Sequence, residues 1–553
     1  MTQKQTSAQT QENFEKILLI LKYSGSIFLL LLSLLAVGYY ILFPSRGYFH
    51  SDTTDTIMWA EASYESGKLF NPDFSYACLL PFGTNLIMTA LMPLTGTSMA
   101  THITGMFLFF LLFAGGLLLM LRQMGWNLHW TAFAVFTVLM TCSGSIKLRE
   151  IFWGHTIYYS LGVWFIFIGL SLIFRQRDLT EQAETLTQKA DLKKNHFHTA
   201  SCIILLCIWC FFTGSDQITA VTIFALPVIG AVFCERWFDR DSEILSLKNI
   251  HAGIMILVML IGTIGGFFLT KFAAGTVTAA YEEAYSEYSA MNTWAENFQK
   301  FPIAWLTLLG AEIEENTPLM SPESVKSLLS VITSVILLCL PIAALFCYHK
   351  IQDAKFRILL LTYWFMTLLI MMGYIMGKLS VANWRLSPIA AMSAVISVNF
   401  LRWGISQISW QRLASLLMIP VMIVNTMHII TLLSMPADNT QSNYLYALTG
   451  ELEKRNLTYG YATFWQANAL TIISDSAVKC RSVEVDTSGV WLRPYQSNTH
   501  WYEDQAGQEN YFLLLSAQEA QILKNMNYIL LTHPHEEFTV DKYEIWVFEK
   551  NIF

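Results

Sequence analysis

Charge is scarce in this chain: 14% of its 553 residues are Asp, Glu, Lys or Arg, where a soluble domain carries about a quarter. With 54% hydrophobic residues and a mean hydropathy of +0.43, the deficit leaves apolar surface that water cannot accommodate, so lipid must cover it. There is no basic tail or Lys/Arg-rich stripe, and the formal net charge is -7, which argues against a nucleic-acid partner. A disulfide framework is excluded as well. The nine Cys are an odd number, and most of them (Cys202, Cys207, Cys210, Cys234, Cys339 and Cys347) lie in apolar runs. Cys207 and Cys210 spell C-x-x-C inside an uncharged run, where a thiol stays protonated and inert, so the pair reads as packing. Internal repeats and low-complexity segments are also missing, which removes solenoid and propeller folds.

What the chain does contain is a series of long apolar runs. The first, from Ile17 to Phe43, exceeds a signal-peptide core and is followed by no small-residue cleavage site, so it is expected to remain as a span. Further runs near the roughly 20 residues that cross a bilayer lie at 98–121, 127–145, 157–174, 199–213, 218–234, 251–272, 327–348, 357–376, 386–402 and 412–434. They predict a polytopic α-helical membrane protein with about eleven transmembrane helices. Lys and Arg fall consistently on one side of these runs, for example Lys22, Arg122, Arg177, Arg236, Lys248, Lys355, Arg357 and Arg412, and those loops are expected to be cytoplasmic. The sparsely basic loops 44–97 and 273–326, and everything after Met435, are expected outside.

Charges return in the tail, where 478–485, 511–515, 526–531 and 543–548 read as strands and 441–455 and 517–525 as helices. The expected organisation is a transmembrane domain over 1–435, including both outer loops, and a small extracytoplasmic α/β domain over 436–553. The protein is then a multi-pass cell-membrane protein with a cytoplasmic N-terminus.

Polar residues at or just outside membrane depth are costly, and they are where chemistry is sought. The first outer loop is the richest. Asp52 and Asp55 are three apart, ahead of Ile57, Ala60 and Tyr64 at helical spacing, which predicts an interfacial amphipathic helix with one or both carboxylates at its start. A carboxylate there can act as a general base or hold a cation; equally, Asp52 can be an N-cap and Asp55 a first-turn charge. Candidate cations on the same side are Arg149, with Glu150 beside it and His155 nearby, and Arg385, next to Trp384. Arg grips phosphate bidentately, whereas Lys147 and Lys378 read as interfacial anchors. Asp216, in T-G-S-D-Q, is a further outer polar point and reads more simply as a turn residue.

The loop 273–326 interleaves Glu282, Glu283, Glu287, Glu296, Glu312, Glu314 and Glu315 with Tyr281, Tyr285, Tyr288 and Trp294. A sugar-binding wall and a solvated surface helix both fit. His533 and His535 flank Pro534 and read as a turn between strands; no metal ligands are assigned.

The early acidic pair, leading into W-A-x-A-x-x-x-x-G-x-L from Trp59 to Leu69 after an N-terminal span, resembles the GT-C superfamily of polytopic glycosyltransferases. The segment from Gly460 to Thr471 resembles the start of the C-terminal domain in bacterial members. The resemblance implies that a sugar is taken from a polyprenyl-phosphate carrier and passed to a cell-surface glycan, lipid or protein. It also implies that Asp52 or Asp55 is the base or a ligand of a divalent cation, and it brings Trp59 among the expected substrate-binding residues. Here the pair is D-T-T-D rather than two adjacent acids, which leaves open which Asp acts. No W-W-D-Y-G-type sequence occurs, so transfer to Asn is not expected.

The chemistry is consistent with these residue types. A hydroxyl is a poor nucleophile until a base takes its proton, and a departing polyprenyl phosphate needs positive partners. Two other readings compete. A transporter or lipid flippase is disfavoured by the near absence of ionisable residues at mid-span and of repeated halves. A non-catalytic scaffold has no required motif and ranks last.

Overall fold

The computed structural model describes residues 2–186, 189–237, 246–277, 287–313, 315–526 and 533–553. The predicted strand 526–531, residues Tyr281, Glu282, Glu283 and Tyr285, and Glu314 lie wholly or almost wholly outside them.

The chain opens with α1 (Thr2–Leu42), and the first loop carries α2 (Asp55–Ser66) and α3 (Thr84–Thr95). The bundle continues with α4 (Met99–Gln123), α5 (Leu128–Thr141), α6 (Ile146–Arg149), α7 (Tyr158–Thr185), α8 (Lys189–Gly214), α9 (Gln217–Ala220), α10 (Leu226–Trp237) and α11 (Leu247–Ala274). After the second long loop, with α12 (Trp294–Leu308), come α13 (Pro322–Phe346), α14 (Ala354–Ile375), α15 (Ser387–Ser406) and α16 (Gln411–Ser434). Among the described residues nine helices are long and apolar enough to cross a membrane, or ten if α5 and the helical stretch after it count as one broken span.

The run expected at 218–234 is helical without a break from Gln217 to Trp237, as α9, a π turn over Val221–Ala225 and α10, with Pro227 at the start of α10. The run expected at 127–145 ends at Thr141 and then bends by 108° into Ile146–Gly154. Gly144 sits in that bend; a side chain there would press on His428 and the Leu309 carbonyl.

Close approach between α8 and α11 rests on a G-x-x-x-G spacing. A Cβ on Gly262 would lie 2.5 Å from the Cys207 carbonyl, and one on Gly266 would run into the Phe211 carbonyl. Small residues let two apolar helices bring their backbones together, where packing rather than water drives association. At one end of the bundle Glu235, 1% exposed, is held by Arg177 (3.2 Å), Arg236 (2.6 Å) and Arg357 (3.0 Å), tying α7, α10 and α14.

The tail forms α17 (Tyr444–Lys454), α18 (Ala467–Ile473), α19 (Ala517–Asn525) and a six-stranded sheet. Its strands are β2 (Tyr459–Thr463), β3 (Lys479–Asp486), β4 (Gly489–Leu492), β6 (Tyr511–Ser516), β7 (Glu536–Val540) and β8 (Tyr543–Phe548), in the order β4-β3-β2-β6-β8-β7. The central three run parallel and the outer strands antiparallel. The first four residues of β2 are buried in succession, as expected of a parallel strand covered on both faces. Three of the four predicted strands and both predicted helices of the tail are present.

The tail is bolted to the first loop. β1 (Phe74–Ser75) pairs antiparallel with β5 (Ser497–Asn498), the Met99 N–H donates to Asp475 Oδ1 at 3.0 Å, and Asn443 Nδ2 donates to the Phe49 carbonyl at 2.8 Å. This corrects the expected amphipathic surface helix. In α2, every residue from Asp55 to Ala62 is buried, on all faces, because the tail covers what the sequence left as a polar side.

Candidate active site

One 3-10 turn, Ser51–Thr54, sets the two carboxylates. His50 precedes it, with its N–H donating to Thr53 Oγ1 at 3.2 Å, and Thr53 Oγ1 donates back to the His50 carbonyl at 2.5 Å. Asp52 lies in this turn and Asp55 is the first residue of α2; neither side chain caps a helix. Asp55 is 6% exposed. Its Oδ2 meets Nε2 of His155 at 3.2 Å, while its Oδ1 is buried with no hydrogen-bond partner among the described residues.

The partner segment arrives through the bend after α5. Ser145 caps α6 by accepting the Leu148 N–H at 3.1 Å, and the chain passes through a π turn over Glu150–Gly154, whose end is pinned by the His155 N–H to the Glu150 carbonyl at 2.6 Å. Burial by itself lowers the His155 imidazole, but the Asp55 hydrogen bond and the charges of Asp55, Asp52 and Glu150 outweigh it and raise the imidazole above its ordinary value. Burial also raises the half-buried Asp52 carboxyl; His155 and His50 pull it down, and Asp55 and Glu150 push it further up. Glu150 meets His50 at 3.3 Å and Lys147 at 2.6 Å, so the charged groups form a row from Asp55 to Lys147.

Behind Glu150 lies Arg149, 5% exposed, with Nη1 donating to the Ser143 carbonyl at 3.0 Å and the guanidinium over the rings of Tyr40 (5.5 Å) and Tyr48 (6.0 Å). Two cavities adjoin here and share Ile146. One, of about 170 Å³, is bordered by Tyr40, Tyr48, His50, Thr53, His102 and Glu150. The other, of about 400 Å³, is bordered by Lys147, Arg149 and Lys326 together with Ser145, Asn383 and His428. Arg385 reaches the same region from the 3-10 turn before α15, and its guanidinium and the Lys147 ammonium each lie 5.5 Å from the Trp384 ring.

The structure therefore gathers Asp52, Asp55, Glu150 and His155, with Arg149 and Arg385 on the far side of Glu150. The other two expected residues stand apart. Asp216 Oδ1 accepts the Phe82 N–H at 2.8 Å and anchors the segment before α3, and Trp59 Nε1 donates to Gln496 Oε1 of the tail at 2.7 Å. In the second long loop, Glu287 pairs with Lys378 at 2.6 Å and Glu296 with Lys300 at 2.8 Å along α12.

Sequence reasoning missed four residues. His50 sits two residues before Asp52, where an imidazole beside an acidic pair was a readable signal. Lys147, expected as a surface anchor, lines the larger cavity with Lys326, for which no local signal existed. Arg493 comes from the tail: its guanidinium lies 4.2 Å from the Phe464 ring and 4.6 Å from the Tyr495 ring, and its Nη1 is buried with no hydrogen-bond partner among the described residues. Burial lowers its ionisation, and Asp55 is among the charges that oppose the shift, which puts Arg493 in electrostatic reach of the site.

Among the described residues no three His, Cys, Asp or Glu side chains converge as a metal cage. Asp52, Asp55 and His155 supply suitable donor types but no common focus, and no step below is routed through a metal.

No family model matches the sequence, and no curated protein matches it. Among solved structures the chain is similar to ArnT from Cupriavidus metallidurans bound to undecaprenyl phosphate, with a TM-score of 0.53 and 11% identity over 95% of this chain and 98% of that one. It also matches the Archaeoglobus fulgidus oligosaccharyltransferase in the apo form, with a TM-score of 0.45 and 10% identity over 91% of this chain and 68% of that one. The chain thus shares the polytopic helical fold of that ArnT structure, in keeping with the fold that the resemblance in the first outer loop implied.

Proposed function

We propose that this protein transfers a sugar from a polyprenyl-phosphate carrier to a hydroxyl of a cell-envelope acceptor, on the outer face of the membrane. The observation that carries the reading is Asp55. One oxygen is fixed by His155, and the other is buried with no hydrogen-bond partner among the described residues, in a fold shared with ArnT crystallised bound to undecaprenyl phosphate. A buried carboxylate oxygen left unsatisfied is costly, and substrate is a natural partner for it.

In this reading Asp55 Oδ1 accepts the proton of the acceptor hydroxyl as that oxygen bonds to the anomeric carbon. The bond from that carbon to the phosphate oxygen breaks, and the electron pair leaves with the polyprenyl phosphate. A single displacement of this kind inverts the anomeric centre. Lys147 and Arg149, on the wall of the larger cavity, neutralise the departing phosphate, so no acid is needed to protonate it. His155 orients Asp55 through their hydrogen bond and, being held toward its charged form, sets a positive charge beside it. Asp52 is the second carboxylate, available to the acceptor hydroxyls.

The proposal includes the topology: N-terminus in the cytoplasm, residues 436–553 outside as a domain, and the Arg177, Arg236 and Arg357 cluster on the cytoplasmic end, in keeping with the positive-inside rule. Purified full-length chain in lipid vesicles, supplied with a panel of polyprenyl-phosphate sugars, tests the function. Release of polyprenyl phosphate that depends on an added acceptor supports it; retained release in the Asp52→Asn, Asp55→Asn and double variants overturns it.

A further inference from the structure

We infer that a second cleft, at the opposite end of α2 from Asp55, is a carbohydrate subsite that seats sugar units of the acceptor remote from the reacting hydroxyl. This rests on the glycosyltransferase reading and gives it a substrate class, an oligosaccharide-bearing acceptor. The cleft measures about 370 Å³ and lies between the first loop and the tail sheet, bordered by Glu65, Asp73, Lys479, Arg481, Asn498 and His500. That is within the span of about 300–1,000 Å³ typical of small-molecule sites.

Arg481 is the reason to assign a ligand. Its side chain is 3% exposed and lines the cleft, yet among the described residues Nε and Nη1 have no hydrogen-bond partner. Its nearest carboxylate, Glu61, is 3.8 Å from Nη2, too long for a hydrogen bond, and Glu61 Oε2 is likewise unpartnered. The guanidinium rests on the Trp501 ring at 3.9 Å, which fixes its plane. A buried guanidinium with spare N–H groups is expensive unless something returns to pair with them.

The rest of the lining narrows the class. Carboxylates, amides, an imidazole and cations alternate around one space, with Trp501 and Tyr459 behind them. This mixture of acceptors and donors without one dominant charge suits the hydroxyls of a sugar, including one bearing a carboxylate opposite Arg481, better than a phosphate or a lipid tail.

Position connects the cleft to the chemistry. Asp55 begins α2, and Glu65 and Ser66 at its end line the cleft; ten residues of helix place them about 15 Å apart. A chain of a few sugar units spans that distance. The pairing of β1 with β5 at Phe74–Asn498 and Ser75–Ser497 fixes the two walls relative to each other, so the cleft is built into the docking of the tail.

The test is isothermal titration of the full-length chain in detergent with three trisaccharides, chitotriose, maltotriose and trigalacturonate. At least one is expected to bind saturably, with affinity reduced tenfold or more in Arg481→Gln and in the double variant Lys479→Ala/His500→Ala. The latter changes two exposed side chains, of which His500 also meets Asp73 at 3.6 Å and Glu503 at 2.9 Å. Asp55→Asn is expected to keep the wild-type affinity, since the cleft is remote from it. Binding by none of the three, or binding unchanged in both variants, overturns the subsite. If a trisaccharide binds at the cleft but no sugar is transferred from any polyprenyl-phosphate donor, the functional reading fails while the subsite stands.

Discussion

His155 and Asp55 are a hundred residues apart in the chain and meet at 3.2 Å, Nε2 to Oδ2, with both side chains buried. The contact joins the start of α2 to the segment that follows the bend after α5, and it leaves the other Asp55 oxygen buried with no hydrogen-bond partner among the described residues.

The two carboxylates are expected to separate by variant. Asp55→Asn should lower transfer by at least a thousandfold, since it removes the proton acceptor, whereas Asp52→Asn should lower it by about ten- to a hundredfold. Sugar release from a radiolabelled polyprenyl-phosphate donor in vesicles measures both, with topology checked by protease protection.

The raised His155 imidazole has a consequence for stability. Its folded-state pKa lies above the unfolded value of about 6.5, so its stabilisation is fully present below that pH and is lost as pH rises through the folded value. The stability margin of the wild type over His155→Gln should therefore shrink as pH is raised from below about 6.5 into the alkaline range. Thermal unfolding in detergent across that range reads it; a margin that grows with pH contradicts the assignment.

Removing the Arg149 guanidinium should raise the KM for the lipid donor by about tenfold or more, with a smaller effect for Arg149→Lys, which keeps the charge and loses the fork. Lys147→Ala should act in the same direction. An unchanged donor KM in both would detach the larger cavity from phosphate binding.

At the other end of the bundle, Glu235→Ala leaves three guanidinium groups clustered around a lost carboxylate. Breaking a buried ion pair from one side costs about 3–5 kcal/mol, so the variant should unfold at markedly lower temperature than the wild type. Fluorescence-detected unfolding distinguishes the two.

Gly266→Leu should force α8 and α11 apart, because its Cβ alone already meets the Phe211 carbonyl. Cysteine pairs placed on the facing sides of the two helices should cross-link in the parent and fail to do so in this variant.

Much of the architecture was readable because each spanning helix must satisfy its backbone internally and turn apolar residues outward, so composition alone marks where it lies. Runs such as 98–121 and 327–348 appear as Met99–Gln123 and Pro322–Phe346, and the tail strands near 478–485, 511–515 and 543–548 fall within a residue of expectation. The run 218–234 is a helix as expected, but apolar content does not report the π turn and Pro227 inside it. For the site, the acidic pair and the 147–156 segment stood out as polar residues bordering apolar runs, but α2 was misread as a surface helix because its cover, the tail, lies hundreds of residues downstream.

A membrane-spanning helical bundle, its first-loop carboxylates and a terminal α/β unit follow from local pattern, because burial in lipid and strand alternation act over a few turns of chain. That His155 reaches Asp55, that Lys147 and Lys326 share a cavity with Arg149, and that Arg481 and Arg493 come from the tail to flank α2 were matters of three-dimensional packing. Such contacts depend on the 108° bend after Thr141 and on the β1–β5 pairing. Side chains brought together from distant segments leave no periodicity in the sequence between them.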